Sequence, residues 1–177
     1  MTGALIPAFV GGQLCPVDKL EVHQRGLRHP AVSVFVMRGD QVLMQQRALG
    51  KYHTPGLWTN TCCTHPFWGE APHDCAARRL RQEMGLAGLV LRRAGGVEYR
   101  ADVFGGLTEH EVVDIFIAEA PQGLEPVPNP DEVAAVAWMG IGELLADLAA
   151  RPELYTPWMQ IYMAHYRHLI FAEAPLA

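Results

Sequence analysis

Long hydrophobic runs are missing from this sequence. No stretch approaches the roughly 20 apolar residues that a membrane-spanning helix requires, and the longest β-rich run, residues 31–37, has the length of a strand. Basic residues are not in excess: lysine and arginine number 14 against 19 aspartates and glutamates, and the resulting charge of −5 argues against a non-specific nucleic-acid binder. Cysteine is sparse. The four present (Cys15, Cys62, Cys63, Cys75) include an adjacent pair and no CxxC spacing, which reads as reduced thiols of a cytoplasmic protein and not as a disulfide framework. The opening residues lack the basic and apolar regions of a signal peptide. Internal repeats and low-complexity tracts are also absent. What remains is half apolar and only 19% charged, enough to build a core and too apolar for global disorder, over a length that suits one domain, residues 1–177.

Hydrophobic patterning predicts strands at 31–37 and 41–46, joined as a hairpin by Arg38-Gly39-Asp40, a triplet that serves as a turn and not as an adhesion motif. Residues 50–69 read as loop. Residues 71–84 read as a helix, with Pro72 in the first turn, Asp74 at the positive end of the dipole and Gly85 as the stop. Ala77, Leu80 and Met84 form its expected core stripe, while Arg79 and Glu83 share another face. Further strands are expected at 90–93, 97–100, 111–118 and 133–138, a proline-rich loop at 121–130, and helices at 141–150 and 156–171. Thr156 caps the last of these and Pro157 opens it. The pattern is α+β, a mixed and largely antiparallel sheet with helices packed on it.

Residues 69–86 read GEAPHDCAARRLRQEMGL. A glutamate, an arginine pair after seven residues, then Gln-Glu-x-Gly-apolar resembles the Nudix box, in which a carboxylate-bearing helix holds a divalent cation against a diphosphate. The copy is altered: Thr64 stands where the motif opens with glycine, and Arg79 and Gln82 replace two glutamates, leaving Glu83. Losing the water-activating carboxylates while keeping cations points to a site that holds a diphosphate without cleaving it. Directly ahead lies Trp58-Thr-Asn-Thr-Cys-Cys-Thr-His65-Pro. With the altered box, this resembles type I isopentenyl-diphosphate isomerase, a Nudix-fold family, over roughly residues 19–158.

The resemblance implies a Nudix-like mixed sheet sandwiched by helices, with residues 1–28 as an N-terminal extension supplying metal and phosphate ligands. It also implies interconversion of isopentenyl and dimethylallyl diphosphate in isoprenoid biosynthesis, by protonation to a tertiary carbocation and loss of a neighbouring proton. Cys63 matches the catalytic cysteine, Glu111 the catalytic glutamate and Tyr99 the tyrosine that hydrogen-bonds it. The matching transition-metal ligands are His23, His29, His65, Glu109 and Glu111, a set that suits Mn²⁺ or Zn²⁺. Five residues separate His23 from His29, one fewer than in the better-known bacterial members. Mg²⁺ would bridge the diphosphate through Glu83. Lys19, Arg47, Lys51 and Arg79 match the diphosphate-binding cations, and Trp158 the aromatic that covers the hydrocarbon end and stabilises a passing cation. The partner implied is a small molecule, without nucleic acid or membrane insertion. Which of Cys63 and the Glu111–Tyr99 pair is the initial acid stays open, as does the oligomeric state. Two other readings compete: a Nudix hydrolase of nucleoside diphosphate derivatives, which the missing carboxylates disfavour, and a zinc-stabilised interaction module, which would need a closed ligand set.

Overall fold

The structure, a computed structural model, describes residues 4–51 and 53–171. The chain opens with an antiparallel pair, β1 (Leu5–Val10) and β2 (Gln13–Asp18), followed by a short helix α1 (Lys19–Arg25). Asp18 caps α1 by accepting from the amides of Leu20 and Glu21. None of these elements was predicted from the sequence; their buried apolar side chains, Ile6, Ala8 and Val22, form a small cluster separate from the main cores.

A seven-stranded sheet follows. β3 (His29–Arg38) and β4 (Gln41–Arg47) pair only next to their turn, at Met37↔Val42 and Arg38↔Gln41. Beyond that point they diverge. β6 (Cys62–Thr64) pairs with β3, while β5 (Trp58–Thr59) and β9 (Val133–Gly140) pair with β4. On its other edge β3 runs parallel to β8 (Leu107–Glu119), which pairs antiparallel with β7 (Arg92–Val103). The hairpin expectation therefore holds at the turn alone, and the segment expected as loop contains β5 and β6. The two strands expected at 90–93 and 97–100 are one strand. Gly95 and Gly96 look like a break in the sequence but remain paired with β8, just after a register shift between Arg93 and Gly95 where a bulge bends the strand without ending it.

Strand β3 is buried on both faces, which explains its near-continuous apolar run. Val32, Val34 and Val36 face α2 (Pro72–Met84), together with Leu43, Cys62 and Phe116. Ala31, Phe35 and Met37 face the opposite core, shared with α3 (Ile141–Ala150) and α4 (Pro157–Ile161). The sheet is thus covered by helices on both sides. Each fully buried apolar side chain, such as Phe35 or Leu80, contributes about 1.5–3 kcal/mol.

Helix α2 begins at Pro72 and ends at Gly85, whose left-handed backbone (φ 67°) returns its amide to the carbonyls of Arg81 and Leu80. A side chain there would also strike the Val127 carbonyl, since an added Cβ would lie 2.7 Å from it. The buried face consists of Cys75, Ala76, Leu80, Glu83 and Met84. Ala77, expected in the core stripe, is exposed: the stripe runs from Ala76 with spacings of four, seven and eight, one residue earlier than apolarity alone suggests. The last predicted helix is also interrupted. Thr156 caps it and Pro157 opens it as expected, but Tyr162–Tyr166 is a π-turn, followed by α5 (Arg167–Ile170). There Tyr162 packs edge-on against Phe35 and Tyr99.

Candidate active site

Strand β8 supplies two carboxylates to one face. Glu109 and Glu111 lie two residues apart, on the side that continues into the core as Val113, Ile115 and Ile117. Parallel pairing sets His29 at the head of β3 directly beside Glu111, and antiparallel pairing sets Tyr99 opposite it on β7. His65 follows β6, and His23 comes from α1. His23, His29, His65 and Glu109 converge, with one ligand atom from each within 4.8 Å of the others. Glu111 borders this group, its Oε1 2.9 Å from His65 Nε2 and 3.8 Å from His29 Nε2.

The histidines are oriented for a cation. His23 Nδ1 lies 2.6 Å from the Lys19 carbonyl and His29 Nδ1 2.7 Å from the Leu27 carbonyl. Because a carbonyl only accepts, each Nδ1 carries a proton and each Nε2 can direct its lone pair inward. Inward means toward Glu109 Oε2, 3.0 Å from His23 Nε2 and 3.7 Å from His29 Nε2. Buried acceptors facing one another need a positive charge between them, and imidazoles with carboxylates make a donor set that fits a divalent cation. Burial would raise the Glu109 carboxyl, but its imidazole neighbours His23, His29 and His53 override it and hold it well below the usual range. Glu111 moves the other way, pushed up by burial and by the adjacent charge of Glu109, with Tyr99 donating to its Oε2. Burial, with the nearby positive charge of Lys19, holds His65 well below its ordinary value and therefore neutral.

On the three-residue strand β6 the two adjacent cysteines face opposite ways. Cys62 is fully buried against α2, whereas Cys63 opens onto the cleft. Its sulfur lies 2.9 Å from Asn60 Oδ1 and 3.0 Å from Ser33 Oγ, and Ser33 in turn contacts the Tyr162 hydroxyl at 2.7 Å. Burial pushes the Cys63 thiol up to about 12, Ser33 draws it down and Glu111 adds to the rise, so the resting group is a thiol.

Four cations line the same cleft as Cys63, His65, Glu109 and Glu111: Lys19, Arg47, Lys51 and Arg79, with Trp158 beside them. Burial lowers Lys19 to about 8, assisted by the positive charges of Lys51, Arg79 and Arg47. The Trp158 indole N–H donates to Thr59 Oγ1 at 2.8 Å, and the Arg47 guanidinium lies 5.4 Å from its ring. Glu83 is buried one turn along α2 from Arg79, which it pairs with, and it accepts from Gln45 Nε2 at 3.0 Å. It stands apart from the histidine cluster, beside the cationic wall.

The structure thus brings together Lys19, Arg47, Lys51, Arg79, Cys63, His65, Glu109, Glu111 and Trp158 in one cleft, with His23, His29 and Tyr99 buried behind it. Sequence reasoning missed His53, which lines the cleft, and Glu132, which pairs with both Lys51 and Arg79. It also missed the Ser33–Tyr162 pair behind the thiol. Asn60 stood inside the recognised motif without a role, and only its proximity to Cys63 gives it one.

The NUDIX domain family matches residues 27–159. Over 171 residues the chain is 60% identical to an isopentenyl-diphosphate Delta-isomerase of Rhodobacter capsulatus, covering 97% of each chain. It is 62% identical over 167 residues to an enzyme of the same name from Dinoroseobacter shibae, covering 94% of this chain and 95% of that one. The chain belongs to the isopentenyl-diphosphate Delta-isomerase family. As a member of that family it also shares the wider NUDIX fold. A protein from Deinococcus radiodurans superposes with a TM-score of 0.71 at 14% identity, covering 92% of this chain and 99% of that one. A MutT NUDIX hydrolase from Burkholderia pseudomallei superposes with a TM-score of 0.61 at 21% identity, covering 78% and 98%. No helix among the described residues is long and apolar enough to cross a membrane.

Proposed function

We propose that this isopentenyl-diphosphate Delta-isomerase family member moves the double bond of isopentenyl diphosphate to give dimethylallyl diphosphate, in isoprenoid biosynthesis. The observation that carries the reading is a thiol and a raised carboxyl, Cys63 and Glu111, lining one cleft with four cations. An unactivated alkene needs a proton at its terminal carbon, and the tertiary cation so formed must lose one from the neighbouring methylene. Cys63 and Glu111 are the two proton carriers: one gives its proton to the terminal carbon, and the other acts unprotonated and takes the proton that the methylene loses. Tyr99 holds one carboxyl oxygen of Glu111 and orients the other. Lys19, Arg47, Lys51 and Arg79 anchor the diphosphate, and Trp158 covers the hydrocarbon end, where an indole face favours a passing cation.

His23, His29, His65, Glu109 and Glu111 would hold Mn²⁺ or Zn²⁺, and Glu83 would hold Mg²⁺ against the diphosphate. Bound there, these ions supply charge neutralisation around buried carboxylates and phosphate oxygens. The whole of residues 1–177 acts as one domain, with 1–28 adding His23 and Lys19 to the NUDIX body. The enzyme works in the cytoplasm on a small molecule, without nucleic acid. The test is incubation with isopentenyl diphosphate in deuterated water. Deuterium entering dimethylallyl diphosphate without phosphate release supports the reading; phosphate release without movement of the double bond would replace it with hydrolysis.

A further inference from the structure

His53 lies between the two halves of the site. Its Nε2 is 2.7 Å from Glu109 Oε1, the oxygen turned away from His23 and His29. Its Nδ1 is 3.2 Å from Arg47 Nη2, and the same Nη2 donates to the His53 carbonyl at 3.1 Å. Arg47 Nε donates to the next carbonyl, Thr54, at 3.2 Å. A guanidinium only donates, so Nδ1 of His53 is the acceptor and its proton sits on Nε2, directed at Glu109. The backbone is bent to permit this. Thr54 has φ +46°, the only positive φ on a non-glycine residue among the described residues, and β-branched residues rarely adopt it. That bend turns two successive carbonyls toward one guanidinium while the ring reaches Glu109. The imidazole is buried, and its ring centroid is 5.9 Å from that of Trp158.

We propose that His53 is a positioning residue that fixes the outer oxygen of the metal-facing carboxylate Glu109 and the plane of the diphosphate anchor Arg47 at once, so that cation binding and diphosphate binding share one support. The inference rests on the metal and diphosphate roles proposed above. A hydrogen bond to the far side of a ligating carboxylate orients the ligand, and losing such a partner weakens metal binding by roughly 10- to 100-fold. Losing the acceptor at Nδ1 frees the guanidinium to rotate about the two carbonyls and weakens substrate capture.

The experiment compares His53→Phe, which keeps the ring against Trp158 and removes both nitrogens, with His53→Gln, whose amide can still donate to Glu109. Zn²⁺ affinity is read by competition with a chromogenic chelator, and KM and kcat for isopentenyl diphosphate are read at saturating Zn²⁺ and Mg²⁺. His53→Phe should weaken Zn²⁺ binding about 10- to 100-fold and raise KM more than it lowers kcat. His53→Gln should restore most of the Zn²⁺ affinity and less of the KM. Unchanged Zn²⁺ affinity and KM in His53→Phe, or a loss confined to the melting temperature of the metal-free protein, would overturn the proposal. Absence of isomerisation in the unsubstituted protein would instead remove the proposed function, and the Zn²⁺ comparison would still stand on its own.

Discussion

Asn60 holds its side-chain oxygen 2.9 Å from the sulfur of Cys63, and it does so with both ends of the carboxamide committed. Its nitrogen donates to the carbonyls of Val34 and Cys62, each at 3.0 Å, so the oxygen is the only end that can face the thiol. The S–H therefore has a defined acceptor, and Ser33 supplies a hydroxyl on another side. Replacing Asn60 with alanine removes that alignment and leaves two buried carbonyls short of a donor. We expect kcat to fall on the order of 10²-fold, the cost of a misplaced reacting group. We also expect unfolding free energy to drop by about 2 kcal/mol, at roughly 1 kcal/mol for each of the two backbone carbonyls that loses its donor. Steady-state kinetics and urea denaturation read the two effects separately, and an unchanged kcat would remove Asn60 from the thiol's support.

The two adjacent sulfurs should separate cleanly. Cys63→Ala keeps a folded protein and loses turnover by about 10²–10⁴-fold or more, the range for removing a general acid or base. Cys62→Ala opens a small void under α2, costs about 1 kcal/mol and leaves turnover close to the starting value. Parallel assays with thermal unfolding check this. Equal losses of turnover in both would mean that the wrong sulfur has been assigned.

Lys19 gives a pH signature. Burial lowers it to about 8, so its charge is lost as pH rises through that value. A diphosphate anchor that neutralises there should make kcat/KM for isopentenyl diphosphate decline above pH 8, and Lys19→Arg should move the decline to higher pH because a guanidinium stays charged. For stability the sign is the reverse. Between about 8 and the unfolded value of 10.5 the unfolded chain binds a proton that the folded chain does not, so this residue's contribution to folding improves as pH rises across that window. A pH–rate profile of both proteins, with melting temperatures at each pH, tests the pair of trends.

Chelation should destabilise the fold as well as stop catalysis. A cation present at 1,000 times its dissociation constant adds about 4 kcal/mol to stability, and its removal leaves Glu109 buried among imidazoles. We expect a chelator to lower the melting temperature of the starting protein by several degrees, and His29→Ala to show little further response. Differential scanning calorimetry with and without added Zn²⁺ measures it. A melting temperature indifferent to the chelator would argue that the histidine cluster is held by hydrogen bonds alone.

Much of the site was legible because its residues fall in short local motifs. Trp58 to Pro66 holds both Cys63 and His65, Glu109 and Glu111 are two apart on a strand, and Arg79 and Glu83 are one helical turn apart. The unread parts are non-local. Ser33 meets Tyr162 across 129 positions, and His53 meets Glu109 across 56; no periodicity joins such pairs. Elements failed where local chemistry misleads: Gly95 and Gly96 resemble a turn but stay paired in the strand just past a bulge at Ala94, and Ala77 is apolar yet sits on the solvent face of α2.

The alternation along β6 gives the protein a weakness of registration. Three residues carry two interchangeable thiols, so sliding the strand by one place against β3 would present Cys62 at the opening, bury Cys63 beneath α2 and swing the imidazole of His65 away. A chain zipped up in that fashion would return the right answer in any sulfhydryl titration and still be dead as a catalyst.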